Sequence, residues 1–179
     1  CTEPEIDMYI IKKLLALIFL QSAPQELPYS PTLTVQLAIA YILSGIIVLR
    51  ITINPDDLVA GIILGFIIQY AFTYLVLRAL RREARFMQTF CAIVGVGLVF
   101  NIISLPVFEI VADETASDAL KSSISLVFLM MISWEVLVKA YIFRHALEMK
   151  MVGALALSFS LFFISVALSQ LLFPAEGAS

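Results

Sequence analysis

Five apolar stretches of about twenty residues each, separated by short polar segments, constrain this chain more than any other feature. They cover residues 33–49, 58–77, 86–108, 120–143 and 151–173. A bilayer core of about 30 Å needs roughly 20 apolar residues as helix. Lipid offers the backbone no hydrogen bonds, so runs of this kind cross it as helices that satisfy their own. The composition agrees: 61% of the 179 residues are hydrophobic and 14% are charged, against about a quarter charged in a typical soluble domain. The chain reads as an all-α integral membrane protein with five transmembrane helices.

Boundary chemistry supports these limits. Ser30-Pro31 and Asn54-Pro55-Asp56-Asp57 each set a capping side chain before a first-turn proline, which marks a helix start. The acidic loop "EIVADETASD" separates the third span from the fourth, and Pro174 follows the fifth. Residues 6–20 differ. Their unbroken apolar run, 14–20, is too short to cross alone, and Lys12 and Lys13 precede it. Pro24, Pro28 and Pro31 follow in "SAPQELPYSP". An N-terminal interfacial amphipathic helix with a Pro-rich turn is expected over 1–32, the five-span domain over 33–173 and a short tail over 174–179. A sixth, very short crossing is the alternative.

Five spans put nine of the eleven basic residues on one side: Lys12, Lys13, Arg78, Arg81, Arg82, Arg85, Lys139, Arg144 and Lys150. The other side holds Arg50 and Lys121 with Asp56, Asp57, Glu109, Asp113, Glu114, Asp118 and Glu176. The positive-inside rule then predicts a cytoplasmic N-terminus and an outside C-terminus, in a bacterial inner (cytoplasmic) membrane. Six spans would weaken this segregation.

Little points to catalysis. Cys1 and Cys91 form neither a disulfide framework nor a metal site. A mature lipoprotein also begins with Cys, but Lys12 and Lys13 speak against an exported N-terminus. Glu3, Glu5 and Asp7 stand where a signal peptide would be basic. His145 is the single histidine, so neither H-E-x-x-H nor a His-based zinc cluster can be built. There is no G-x-S-x-G, P-loop or dinucleotide fingerprint, and the connections leave no room for a soluble catalytic domain. No enzyme activity, cofactor or metal is expected. The net charge of −3 gives no reason to expect nucleic acid.

Glu135 and Lys139 interrupt the fourth span at i and i+4, the favourable order on a helix. Counted at 1.5 Å per residue, Glu135 lies about 12 Å deep and Lys139 about 6 Å. Lys139 can snorkel to the headgroups. Glu135 needs protein or water, since a charge in hydrocarbon costs at least about 2.5–3.5 kcal/mol. The same depth falls on Tyr41, Gln69 and Ser158 or Ser160, which predicts a polar cluster around Glu135. It serves either as a structural salt bridge or as a site for a proton, an ion or a partner.

Gly61 and Gly65 form a G-x-x-x-G, expected to pack helices within the monomer, with a dimer seam as the alternative. The third span carries Gly95, Gly97, Asn101 and Pro106. Asn101 should find an interhelical partner, and Pro106 either closes the helix or kinks it. Ser158, Ser160, Ser165 and Ser169 in the fifth span read as a packing face. The turn "RALRREAR", with Arg78, Arg81, Arg82 and Arg85, is suited to anionic lipid headgroups as well as to fixing topology.

The basic turn, "FMQTFCAIVGVGLVFNIISLP" and "WEVLVKAYIFRHAL" before a final hairpin together resemble the Yip (Ypt-interacting-protein-like) family, especially its small bacterial members. The resemblance covers most of 33–173. It departs at Arg82-Glu83, where that family commonly has a glycine pair. It implies a five-span fold. Eukaryotic relatives are trafficking adaptors that bind small GTPases through a cytosolic region essentially missing here, so that role is not carried over. The function expected is a non-enzymatic membrane scaffold or adaptor whose helices bind membrane lipids and other membrane proteins or a second copy. The alternative is a small oligomeric transporter or channel with Glu135 on the proton or ion pathway.

Overall fold

In the computed structural model, residues 3–52, 58–112, 115 and 117–173 are described. The expected cap at Asn54-Pro55-Asp56-Asp57, part of the acidic loop and the tail after Phe173 lie outside them. Among the described residues there are six α-helices, two short 3-10 turns and no strand: α1 (Glu3–Ile18), α2 (Pro31–Thr52), α3 (Leu58–Ala79), α4 (Phe86–Ala112), α5 (Asp118–Leu147) and α6 (Met151–Leu172). Helices α2 to α6 are long and apolar enough to cross a membrane, which marks an integral membrane protein.

Local chemistry sets the ends. Ser30 Oγ accepts the Leu33 N–H at 3.2 Å, with Pro31 in the first turn of α2. Ser117 Oγ accepts the Leu120 N–H at 3.3 Å to start α5. Glu148, at φ 55°, ends α5 in the left-handed conformation. Pro106 does not close its helix: α4 continues to Ala112. The proline forfeits one backbone bond to Ile102. The turn after it is nevertheless held by packing, with Val107 buried and the Phe108 ring 4.9 Å from Phe128.

Side-chain contacts fix the directions. Asn101 Nδ2 lies 3.7 Å from where a Gly45 Cβ would be, and Gly97 faces the Tyr41 ring, so α2 and α4 run parallel. Phe66 meets Phe90 while Tyr74 meets Phe86, so α3 runs against α4. Neighbours follow the order α2, α3, α6, α5, α4 and back to α2. Helix α4 is the most enclosed, 61% buried along its span against 11–28% for the other four.

The alternation gathers Arg78, Arg81, Arg82, Arg85, Arg144 and Lys150 at one end, termed here the basic end. Helix α1 joins it from the side. Gln25, in the 3-10 turn Pro24–Glu26, donates to the His145 carbonyl at 2.7 Å, and Gln88 donates to the Leu27 carbonyl at 2.9 Å. From there α1 penetrates the bundle. Leu14 packs on Gly95, nine residues or about 14 Å along α4 from Phe86. Ile10, Leu14, Leu17 and Ile18 are buried, while Met8, Ile11, Leu15 and Phe19 lie exposed on the other side. Among the side chains described, the polar outer face expected of an interfacial helix is reduced to Tyr9, Lys12 and the half-buried Lys13.

Candidate functional site

Two adjoining cavities lie among α2, α3 and α5, and α3 and α5 face each other there without substantial contact. The first, about 310 Å³, is completed by α4 and walled by Ile62, Phe100, Phe108, Phe128 and Met131. It extends toward the end opposite the basic one, as far as Val48 and Phe108. The second, about 190 Å³, is completed by α6 and holds Gln69, Lys139, Ser158 and Ser165. Tyr41, Gly65, Ile132 and Glu135 border both.

The spacing of α5 turns Glu135 and Lys139 onto one face, with Nζ 2.7 Å from Oε1 and side chains 27% and 15% exposed. Glu135 thus stands where the cavities meet, with its countercharge one turn away. Tyr41, Gln69 and Ser158 line the second cavity with this pair. Depth counting reached these residues because helix rise is uniform. It could not tell Ser158 from Ser160: Ser158 Oγ donates inward to the Val136 carbonyl at 2.7 Å, whereas Ser160 is exposed and bonds its own helix at Ala156. Glu135 is not held by Gln69. The Gln69 Nε2, in a side chain 4% exposed, has no hydrogen-bond partner.

Gly61 and Gly65 do not pack closely against another helix of the same chain. A Cβ on either would meet no heavy atom within 4 Å, because both border the first cavity. Close approach occurs instead at Gly95, where a Cβ would lie 2.5 Å from Leu14 Cδ2, and at Gly97, where it would lie 2.7 Å from Tyr41 Cε2. Asn101 does bridge helices: its Nδ2 donates to Ser44 Oγ at 3.0 Å.

Toward the basic end the cavities stop against solid packing, with Thr73, Leu77, Val138, Ile142 and Phe143 fully buried. Arg82 and Arg85 both pair with Glu148, and Arg85 Nη1 also donates to the Ala146 carbonyl at 3.0 Å. They therefore staple the turn before α4 to the end of α5, and only Arg78 and Arg81 of the four expected headgroup ligands are exposed without such partners. The hydrogen bond from Arg85, with the Arg82 charge, holds the Glu148 carboxyl below its usual range. Lys13 pairs with Glu26, whose carboxyl is lowered to about 2 chiefly by that hydrogen bond and then by the Ala23 N–H. Gln25, Gln88 and Trp134 tie α1 and its turn to the bundle; Gln88 and Trp134 stand within the motifs quoted above, but no pattern in the sequence assigned them these contacts. Among the described residues no three His, Cys, Asp or Glu side chains converge as a metal site. No protein-family model, curated protein or solved structure matches the chain.

Proposed function

We propose that this is a small transporter or channel of a bacterial cytoplasmic membrane, in which Glu135 contacts the solute or ion inside the bundle. One observation carries the reading. Among the described residues the only ion pair within the spanning helices borders two cavities along the bundle interior. Intramembrane charges are costly and characteristically mark substrate or ion pathways. A scaffold needs an outer surface and has no use for an internal charged cavity, so the geometry favours what the sequence ranked second. With the basic end cytoplasmic, the first cavity opens toward the outside and the packed layer at Leu77 and Phe143 closes the inner end. In the same reading the C-terminal half of α1 dips into the membrane from the cytoplasmic side, since Leu14, Leu17 and Ile18 on one face and Ile11 and Leu15 on the other are apolar. Kinship with the Yip family is proposed on the sequence motifs alone.

The adaptor reading keeps one specific observation. In the first half of α5, Leu126, Val127, Leu129 and Met130 are all exposed, spread over more than one face of the helix, which lipid or a partner helix covers.

Flux into proteoliposomes under proton, sodium and potassium gradients tests the two. Transport requires ion- or pH-dependent flux by the wild type that Glu135→Gln abolishes. Absence of flux in both proteins, with a membrane protein retained through mild-detergent purification, supports the adaptor. Orientation is read separately with single cysteines. Ser117→Cys should react with impermeant reagent on sealed cells and Ala84→Cys should not; the reverse pattern would invert the assignment.

A further inference from the structure

Gln69 is a polar residue in the cavities that the protein itself leaves unsatisfied. Its side chain is 4% exposed, it lines the second cavity, and its Nε2 has no hydrogen-bond partner. A buried amide N–H without an acceptor is destabilising, and such groups in folded proteins call for an explanation. Leucine would fill the same position without that penalty. Of the other polar side chains on the walls, all but Tyr41 are engaged. Ser158 donates to Val136, Asn101 to Ser44, Ser104 to the Asn101 carbonyl at 2.8 Å, and Lys139 pairs with Glu135. Gln69 therefore presents a free amide donor, beside the Tyr41 hydroxyl that borders both cavities.

Charge narrows the occupant further. Glu135 and Lys139 balance each other, and Tyr41 is the one other titratable side chain on the walls of either cavity. A ligand with net charge would enter largely apolar surroundings without a countercharge unless it broke the existing half-buried pair, and stranding one member of such a pair is unfavourable. An uncharged ligand leaves the pair intact. The first cavity supplies the rest of the recognition. Phe100, Phe108 and Phe128 wall a space of about 310 Å³, at the small end of the roughly 300–1,000 Å³ typical of ligand pockets.

We infer that the two cavities together bind a small uncharged amphipath. Its polar end, a carbonyl or hydroxyl oxygen, accepts from the Gln69 amide once that side chain turns its covered Nε2 toward the second cavity, and its apolar body lies among Phe100, Phe108 and Phe128. This inference rests on the transport reading and names its substrate class.

Three matched probes test it on the full chain in detergent: benzylacetone (neutral), phenylpropylamine (cation) and phenylpropionate (anion). Binding is followed by saturation-transfer NMR and by the shift in melting temperature. The ketone should bind the wild type at least about tenfold more tightly than either ion. Gln69→Leu should melt higher than the wild type yet lose about tenfold or more of the ketone affinity, since only the directional contact has been removed. Tighter amine binding that Glu135→Gln removes would make this a cation site and overturn the proposal. Preferred carboxylate binding that Lys139→Met removes would do the same in favour of an anion. No binding by any probe, with Gln69→Leu merely stabilising, would leave water as the partner of Gln69 and also sink it. Binding in detergent is independent of flux. Ketone binding without flux of any tested solute therefore defeats transport and spares this site, whereas ion flux without ketone preference does the opposite.

Discussion

Trp134 donates its indole N–H to the backbone carbonyl of Ile18 across 3.1 Å. Ile18 is the last residue of α1, so its carbonyl is among those a helix end leaves without an internal partner. One side chain from the middle of α5 thereby holds the innermost point of α1, where the chain turns back toward the basic end. Trp134→Phe keeps most of the apolar contact and deletes the N–H. We expect a loss of about 1 kcal/mol, together with faster proteolysis around Gln21 to Ala23. Equal stability and equal cleavage would mean that α1 is held by packing alone.

The glycines make opposite predictions. A Cβ at Gly95 would press on Leu14, and one at Gly97 on the Tyr41 ring. Gly95→Ala and Gly97→Ala should each cost about 1–3 kcal/mol by overpacking. Gly61→Ala and Gly65→Ala meet open space and replace glycine within a helix, so stability should hold or rise by up to about 1 kcal/mol. Thermal unfolding in detergent separates the two pairs. Destabilisation by Gly61→Ala accompanied by a change in particle mass would instead reveal a dimer seam.

Acid should release the contact between α1 and its turn. The Glu26 carboxyl is lowered from an ordinary 4.5 to about 2 in the fold. Its contribution is therefore fully present above about pH 4.5 and disappears as pH falls through about 2. Lys13 is raised above its ordinary 10.5 by the same partner, so its contribution persists below that value and is lost at higher pH, as the amine deprotonates. The stability difference between wild type and Glu26→Gln should stay flat from about pH 5 to about pH 10 and shrink on either side. A difference that does not respond to acid would show that the carboxylate charge contributes nothing.

Glu135 and Lys139 should be strongly non-additive. Lys139→Met strands a carboxylate in the bundle and should cost about 3–5 kcal/mol. Glu135→Leu strands the amine, though Lys139 can reach partway toward the headgroups, so the cost should be smaller. Glu135→Gln, which keeps hydrogen-bonding capacity, should cost least. The double replacement Glu135→Leu with Lys139→Met should be more stable than Lys139→Met alone. Additive losses in melting measurements would place both side chains in water or among headgroups and contradict the cavity geometry.

Run length, capping residues and the constant rise of a helix are local quantities. They sufficed to delimit α2 to α6 within a few residues, to send the basic residues of the turns to one end, and to set Tyr41, Gln69, Ser158 and Glu135 at one depth. Rotation about each helix axis is not local, because apolar residues surround these helices on all sides and leave no polar face to orient them. Only the tertiary structure therefore decided that Ser158 faces inward while Ser160 faces outward, and that Gly95 and Gly97 accept close neighbours while Gly61 and Gly65 border a cavity. It also decided that Arg82 and Arg85 belong to Glu148. The short apolar run of α1 was legible, but its burial against Gly95 and Trp134 was not, since a helix too short to span becomes stable inside lipid only through the particular surfaces that receive it.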